Sequence, residues 1–320
     1  MLKISIIILS KNEEKYIDST LRGVFNQNTG QECEVILIDS GSQDSTLGIA
    51  ARYPVKILEI PAGEFSHGLT RNRGARLATG DIVVFLNADA TPVDEYWLKG
   101  LIEDFNNDEK IAGIYSRILA RPECNPLRGW EVLNENPGSK QIRYIKDFYG
   151  YQRMKPPEKR AFLSFNSISC AIRRDFLLQY PFKDLGFGED LEWGKRIMEN
   201  GYKIVFEPQS AVFHSHNFYF SFTGTFKKYF DDSRINNSLL NIWSWRNFPA
   251  LILHIAYKIL RDITHVLNLH KGVFYKAGWI FYSPVIRMAE FLGIIAGANS
   301  KYLPDRLCAA FSLANEIKTN

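Results

Sequence analysis

The chain opens on an apolar run, Ser5–Leu9 (SIIIL), whose β-branched residues suit a strand covered on both faces. Tyr16, Ile17, Leu21, Val24 and Phe25 then recur at helical spacing. The alternation continues. Glu34–Asp39 (EVILID), Val55–Ile60 and Asp81–Leu86 (DIVVFL) read as strands. Between and after them, Thr46–Tyr53, Thr70–Ala78 and Glu95–Phe105 read as helices, with Gly80 placed to end the second. Strands alternating with helices at this spacing predict the α/β class, a mostly parallel central sheet with helices on both faces. The first run is followed at once by Lys11, Glu13 and Glu14, so it reads as a strand and not as a secretory leader.

Pro122–Lys159 is rich in Pro, Gly, Asn and charge without a clear period, and reads as a long functional loop. Order resumes with Phe165–Arg173, a short helix to Gln179, and the segment FGEDLEWGKRIMENG, where Leu191, Ile197 and Met198 keep helical spacing before Gly201. Lys203–Phe206 and Ala211–His214 read as two short strands. Beyond Phe218 the pattern is mostly helical and aromatic, with Trp243, Trp245 and Trp279. Two domains are therefore expected, an α/β domain over 1–217 and a helical extension over 218–320.

Charge sharpens that division. Lys and Arg number 39 against 35 Asp and Glu, a net of +4, too balanced for a protein that binds nucleic acid through bulk charge. Residues 218–320 hold 12 of the basic and 6 of the acidic residues, a net of +6, which leaves −2 for the rest. The longest apolar stretches there, Phe248–Tyr257 and Ala277–Ile286, are half of the ~20 residues a spanning helix needs. Lys258, Arg261, Lys276 and Arg287 flank them. Such a segment suits either an anionic membrane face or a helical layer packed on the sheet. A hydrophobic content of 46% over 320 residues excludes disorder and a fibrous repeat. Cys33, Cys124, Cys170 and Cys308 form no CxxC pair and read as reduced thiols.

In an open parallel sheet, ligands bind beyond the carboxyl ends of the strands. Those ends read Ser10-Lys11-Asn12-Glu13, Asp39-Ser40-Gly41-Ser42-Gln43-Asp44, Gly63 to Gly68 leading to Arg71-Asn72, and Asn87-Ala88-Asp89. All can hold a polar ligand. GxGxxG and GxxxxGK[ST] are both absent, which argues against a dinucleotide fold and a P-loop.

The stretches SIIILSKNE, ILIDSGSQDST, RNRGARLATGD, FLNADATP and GFGEDLEW, in this order over roughly residues 2 to 216, resemble the family 2 glycosyltransferases with their GT-A fold. FSHGLTRNRG with DSGSQDST further resembles the rhamnosyltransferase branch. The resemblance implies a nucleotide-sugar site formed by Ser10, Asn12, Glu13, Asp39 and Ser40, with Asp39 accepting from a pyrimidine or ribose. Ser42 or Asp44 can instead cap the helix from Thr46. Asn87-Ala88-Asp89 takes the place of the family's DXD motif, with Asn in place of the first Asp, so Asp89 alone brings formal charge to a Mg²⁺ or Mn²⁺ ion. The alternative for Asp89 is a turn before Pro92. His214 is the implied second metal ligand, with His216 competing and a core histidine as the bland reading. Arg71 and Asn72 match an RN pair that clamps phosphate or anchors acidic residues, unless Arg71 is a helix-surface arginine. His67 is placed to touch sugar or phosphate.

Glu189 and Asp190 match the family's ED pair. Asp190 is the implied base and Glu189 orients the acceptor or a neighbouring loop; the alternative is an acidic helix N-terminus stabilised by the dipole, a placement expected to lower a carboxylate's pKa and keep the base ionised. Trp193 is either an acceptor platform or core. The implied chemistry is single displacement with inversion, needing one carboxylate base where a glycoside hydrolase uses two. The implied donor is dTDP-rhamnose, the acceptor a cell-surface polysaccharide or lipid-linked glycan, and the Pro122–Lys159 loop an acceptor-side lid. A UDP-hexose-dependent enzyme on the same scaffold, and a non-catalytic sugar-nucleotide or membrane-binding protein, are the alternatives. The expected location is cytoplasmic, peripheral at the cytoplasmic face of the inner membrane.

Overall fold

The computed structural model describes residues 2–135, 138–214, 221–243 and 247–313. They fall into two compact units, Met1–Leu119 with Asn136–His214, and Ala120–Glu135 with Ser215–Asn320. Residues 120–135 thus group with the helical unit. The expected boundary at 217 lies outside the described residues.

The first unit is built on one sheet. Its strands are β1 (Ile4–Ser10), β2 (Cys33–Asp39), β3 (Lys56–Glu59), β4 (Ile82–Asn87), β5 (Thr91–Pro92), β6 (Ile111–Leu119), β7 (Gln141–Arg143), β8 (Ser169–Arg173) and β9 (Lys203–Phe213). Their order is β3-β2-β1-β4-β8-β6-β9-β5, with β7 also on β9. β1 to β4 run parallel, as expected of a sheet core carried by crossover helices. β8 is antiparallel to both β4 and β6, while β6 and β9 are parallel. All seven residues of β1 are buried, which is why its isoleucines point to both faces. Each fully buried Ile or Leu contributes about 1.5–3 kcal/mol of transfer free energy.

The helix His67–Leu77 lies close on this sheet. A Cβ at Gly74 would stand 2.7 Å from Ile7 Cγ2, so only glycine allows the approach. Trp193, on the helix Glu189–Glu199, is fully buried between Phe165 and Phe182, and its Nε1 donates to the Tyr180 carbonyl at 2.8 Å. It is core and not an acceptor platform.

Two expectations give way. Pro122–Lys159 is not an irregular loop: it contains the helices Pro126–Glu135 and Phe148–Arg153, strand β7 and the first half of the helix Pro156–Leu163. Polar side chains fix this stretch where an apolar period was sought. Arg143 donates to the carbonyls of Ala161, Phe162 and Ser164, Tyr151 to Glu199 at 2.8 Å, and Lys140 pairs with Asp104 and Glu207. The two short strands expected after 203 are one strand, β9, which passes Pro208 with a register shift against β6.

The second unit contains the helices Pro126–Glu135, Phe222–Leu240, Phe248–Leu267, Val273–Ala298 and Asp305–Phe311. At 26 residues, Val273–Ala298 is long and apolar enough to cross a membrane by length and composition. It contains the apolar stretch Ala277–Ile286 together with the flanking Lys276 and Arg287. Inside the unit, Arg287 donates to Asp262, Glu131 and Glu290, and Lys258 donates to Glu290 at 2.6 and 2.9 Å. Burial alone would raise the Glu131 carboxyl, but Lys258 and Arg287 outweigh it and hold it well below the usual carboxylate range.

Candidate active site

Strand register brings the sequence-predicted residues to one edge of the sheet. Ser10 stands opposite Asp39, and Leu9 opposite Asn87. β5 and β9 pair Thr91 with Phe213, which carries His214 toward Asp89. The His214 Nε2 lies 3.3 Å from Asp89 Oδ2, both side chains being largely buried. His216 lies outside the described residues.

Arg71 joins the parts of this edge. Its guanidinium, buried at 2% exposure, donates to Glu189 Oε1 at 2.8 Å, Asn87 Oδ1 at 3.2 Å, and the carbonyls of Ser167 at 3.1 Å and His67 at 3.2 Å. It is an anchor and not a helix-surface arginine. One side chain thereby ties the end of β4 to the start of the helix Glu189–Glu199. Glu189 also accepts from Ser167 Oγ at 3.4 Å. Gly188, at φ 76°, takes the left-handed turn that opens this helix, a conformation suited to glycine.

Asp190 follows directly. Its Oδ2 accepts from the Ser167 N–H at 3.3 Å and its Oδ1 from the Leu191 N–H at 2.7 Å. Its carboxyl is pushed up to about 6, by burial first and the Glu189 carboxylate second, against Arg71 and the two N–H donors. The expected lowering by the helix N-terminus is thus overturned, because desolvation and a like charge exceed it. A carboxylate poised near 6 is still mostly ionised at neutral pH and is a stronger base than an ordinary aspartate. Burial, with Arg71, pushes His67 down to about 3 despite Asp89, so its imidazole is neutral at physiological pH.

Other predicted residues face inward. Asp39, fully buried, accepts from Ser10 Oγ at 2.7 Å, Ser42 Oγ at 2.6 Å, and the N–H groups of Gly41 and Ser42 at 3.0 and 2.7 Å. Those four bonds fill the capacity of a carboxylate and shape the loop after β2. Ser40 donates to the Ser10 carbonyl at 3.2 Å. Asn12 adopts φ 52° and accepts from Gln43 N–H at 2.8 Å, while the Glu13 N–H donates to Thr46 Oγ1 at 2.7 Å. Asp44 accepts from Thr46 N–H at 3.0 Å, at the start of the next helix. Asn72 grips Phe182 through both backbone groups at 2.8 and 3.0 Å. Ala88 is buried behind Asp89, its N–H on the Leu9 carbonyl.

Sequence reasoning missed Ser167, which uses its carbonyl, N–H and hydroxyl on Arg71, Asp190 and Glu189. It precedes β8, whose antiparallel direction brings an amino end to the edge where the parallel strands finish. The signal was the polar FNS run just before the strand SCAIR.

Residues 5–179 match the model of the family described as Glycosyl transferase family 2. The chain belongs to the family 2 glycosyltransferases. It is 30% identical to the O-antigen chain rhamnosyltransferase WbaN of Salmonella anatum over 299 residues, 92% of this chain and 89% of WbaN. It is 28% identical to the O-antigen chain rhamnosyltransferase RfbN of Salmonella typhimurium (strain LT2) over 323 residues, 100% of this chain and 97% of RfbN. Within the GT-A fold, it superposes with a TM-score of 0.54 on glucosyl-3-phosphoglycerate synthase from Mycobacterium tuberculosis, crystallised with Mg²⁺ and UDP. That match is 17% identical and covers 76% of this chain and 81% of the other.

Proposed function

We propose that this family 2 glycosyltransferase moves L-rhamnose from dTDP-rhamnose to a hydroxyl of a polysaccharide or lipid-linked glycan, with inversion at the anomeric carbon. The observation that carries the reading is Arg71, which gathers Asn87 beside Asp89, and Glu189 beside Asp190, around one guanidinium. The likeness to two O-antigen chain rhamnosyltransferases over most of their length supports rhamnose as the sugar and a growing polysaccharide as the acceptor.

Asp89 and His214 fit a divalent cation. Neighbouring ligands of an octahedral ion at about 2.1 Å stand about 3 Å apart, close to the 3.3 Å between Oδ2 and Nε2. Mg²⁺ and Mn²⁺ take their remaining ligands from phosphate and water. Held there, the cation would supply positive charge to a departing diphosphate.

The residues of the chain do the rest. Asp190 accepts the proton of the acceptor hydroxyl as that oxygen attacks the anomeric carbon, and the nucleoside diphosphate leaves without needing an acid. The Glu189 carboxylate, held by Arg71, helps to keep Asp190 basic by its charge. Neutral His67 can donate one N–H to the sugar or phosphate and carries no charge of its own. Ser10, Asn12, Glu13, Asp39 and Ser40 shape the loop that receives the nucleoside, through backbone geometry more than through the buried Asp39 carboxylate.

The test is thermal stabilisation and product release across dTDP-rhamnose, UDP-glucose, UDP-galactose and UDP-N-acetylglucosamine, with Mg²⁺, with Mn²⁺ and with chelator. A ligand at a hundredfold its Kd adds about 2.7 kcal/mol to the native state. The expected result is stabilisation by dTDP-rhamnose with a divalent ion and transfer only from that donor. Stabilisation by a UDP-sugar alone refutes the donor assignment, and binding without turnover refutes catalysis.

A further inference from the structure

In the second unit, the helices Phe248–Leu267 and Val273–Ala298 form a hairpin with a short turn. The three most exposed large apolar side chains among the described residues lie on it: Phe274 at 95%, Val273 at 79% and Phe281 at 78%. At about 100° per residue, Phe274, Phe281, Val285, Met288 and Leu292 share an arc of about 60°. Leu253, Tyr257, Leu260 and Leu267 share an arc of about 80° on the other helix. Exposed apolar surface this continuous marks a place where something docks.

The surrounding charge has one sign. From Phe248 to Pro304 the chain has six Lys and Arg and two acidic residues. Both acids, Asp262 and Glu290, are buried and committed to Arg287 and Lys258. The exposed charge is left to cations: Lys271 in the turn, Lys301 beyond the second helix, and the half-buried Lys276. No carboxylate on this stretch faces solvent.

The hairpin is also divided along its length. Near its root, Ser283 and Arg287 bond Asp262, and Glu290 holds both Arg287 and Lys258. Drawing that half of Val273–Ala298 into hydrocarbon would strip a buried ion network of its partners, so the helix does not span although its length allows it. Pro284 stands at the changeover. On the turn side, Val273–Tyr282 has one charge, Lys276; Trp279 and Tyr282 pack on the core of Leu127, Val266 and Ile286, and the exposed Tyr275 is a ring with a polar atom suited to a lipid headgroup layer.

We infer that the turn end of this hairpin seats in an anionic lipid surface, with Val273, Phe274 and Phe281 entering the acyl boundary and Lys271 and Lys276 meeting the headgroups. Charge complementarity selects that occupant over a second copy of the chain, whose matching face would set cation against cation. The inference stands apart from the glycosyltransfer reading and can fail without it.

The experiment uses the full chain with vesicles of phosphatidylcholine alone or mixed with phosphatidylglycerol, sedimented at rising NaCl from about 20 mM, where screening is weak. The parent is expected to bind the anionic vesicles and to weaken with salt. Phe274→Asp/Phe281→Asp should bind at least tenfold more weakly with an unchanged melting temperature, since both rings are exposed. Lys271→Glu/Lys276→Glu should weaken binding and flatten its salt dependence. The inference is overturned if the parent ignores anionic vesicles at low salt, if the aspartate variant binds like the parent, or if the parent is a dimer that this variant dissolves.

Discussion

Arg71 is the side chain whose removal should tell most about how the candidate site is held. Arg71→Met keeps much of the volume and deletes the charge, leaving Glu189 at 5% exposure without its 2.8 Å partner. Stranding one member of a buried pair costs about 3–5 kcal/mol, far above the median for a surface pair. The carbonyl of Ser167 also loses its donor from Arg71, which adds to the loss. The expected total is roughly 3–5 kcal/mol, because Met refills the space and limits the cavity. Urea unfolding of the full chain measures it as a lowered midpoint. The double variant Arg71→Met/Glu189→Gln should lose less than Arg71→Met alone, since replacing both members of a buried pair spares the stranded charge. If Arg71→Met costs under about 1 kcal/mol, or the double variant is no better than the single one, then the pair is not what holds the two elements together.

Three more outcomes are expected. The acid limb of kcat/KM should fall near pH 6, where Asp190 protonates, and an acid limb near pH 4 would remove Asp190 as the base. Asp190→Asn should slow transfer by about 10²–10⁴-fold yet be no less stable than the parent at pH 7.5. The sign follows from a folded pKa raised above the unfolded one: the cost of ionising Asp190 is full above about pH 6 and fades as pH falls toward 4, so deleting the charge removes a cost. A marked drop in melting temperature for Asp190→Asn would contradict this. In the second unit, Arg287→Met strands buried Asp262 and Glu290 and should cost about 3–5 kcal/mol by urea unfolding, and a change under about 1 kcal/mol would show the network to be incidental.

The parallel half of the sheet was legible because its strands are short apolar runs bounded by Gly, Pro and charge, and because βα alternation allows few topologies. Pro122–Lys159 was not legible for the converse reason. Its elements are fixed by Arg143, Lys140 and Tyr151 through polar contacts with distant residues, which leave no apolar period in the local sequence. β9 was divided in two because Pro208 and Gln209 break the pattern, while the strand accommodates them with a register shift.

The site divides along a similar line. Searching the carboxyl ends of parallel strands finds Asp39, Asn87 and Asp89, because there the chain direction alone fixes which residues reach the edge. An antiparallel strand delivers its amino end to that same edge, so the rule passes over Ser167 although it touches Arg71, Glu189 and Asp190. Sequence also cannot separate a carboxylate that will meet a ligand from one that builds the loop around it, since both need Asp after a strand. Asp39 and Asp190 differ in what surrounds them: four donors satisfy the first, whereas burial and Glu189 leave the second near pH 6. The surroundings of Asp190 are set in part by Arg71, far off in the chain, so the local sequence does not carry them.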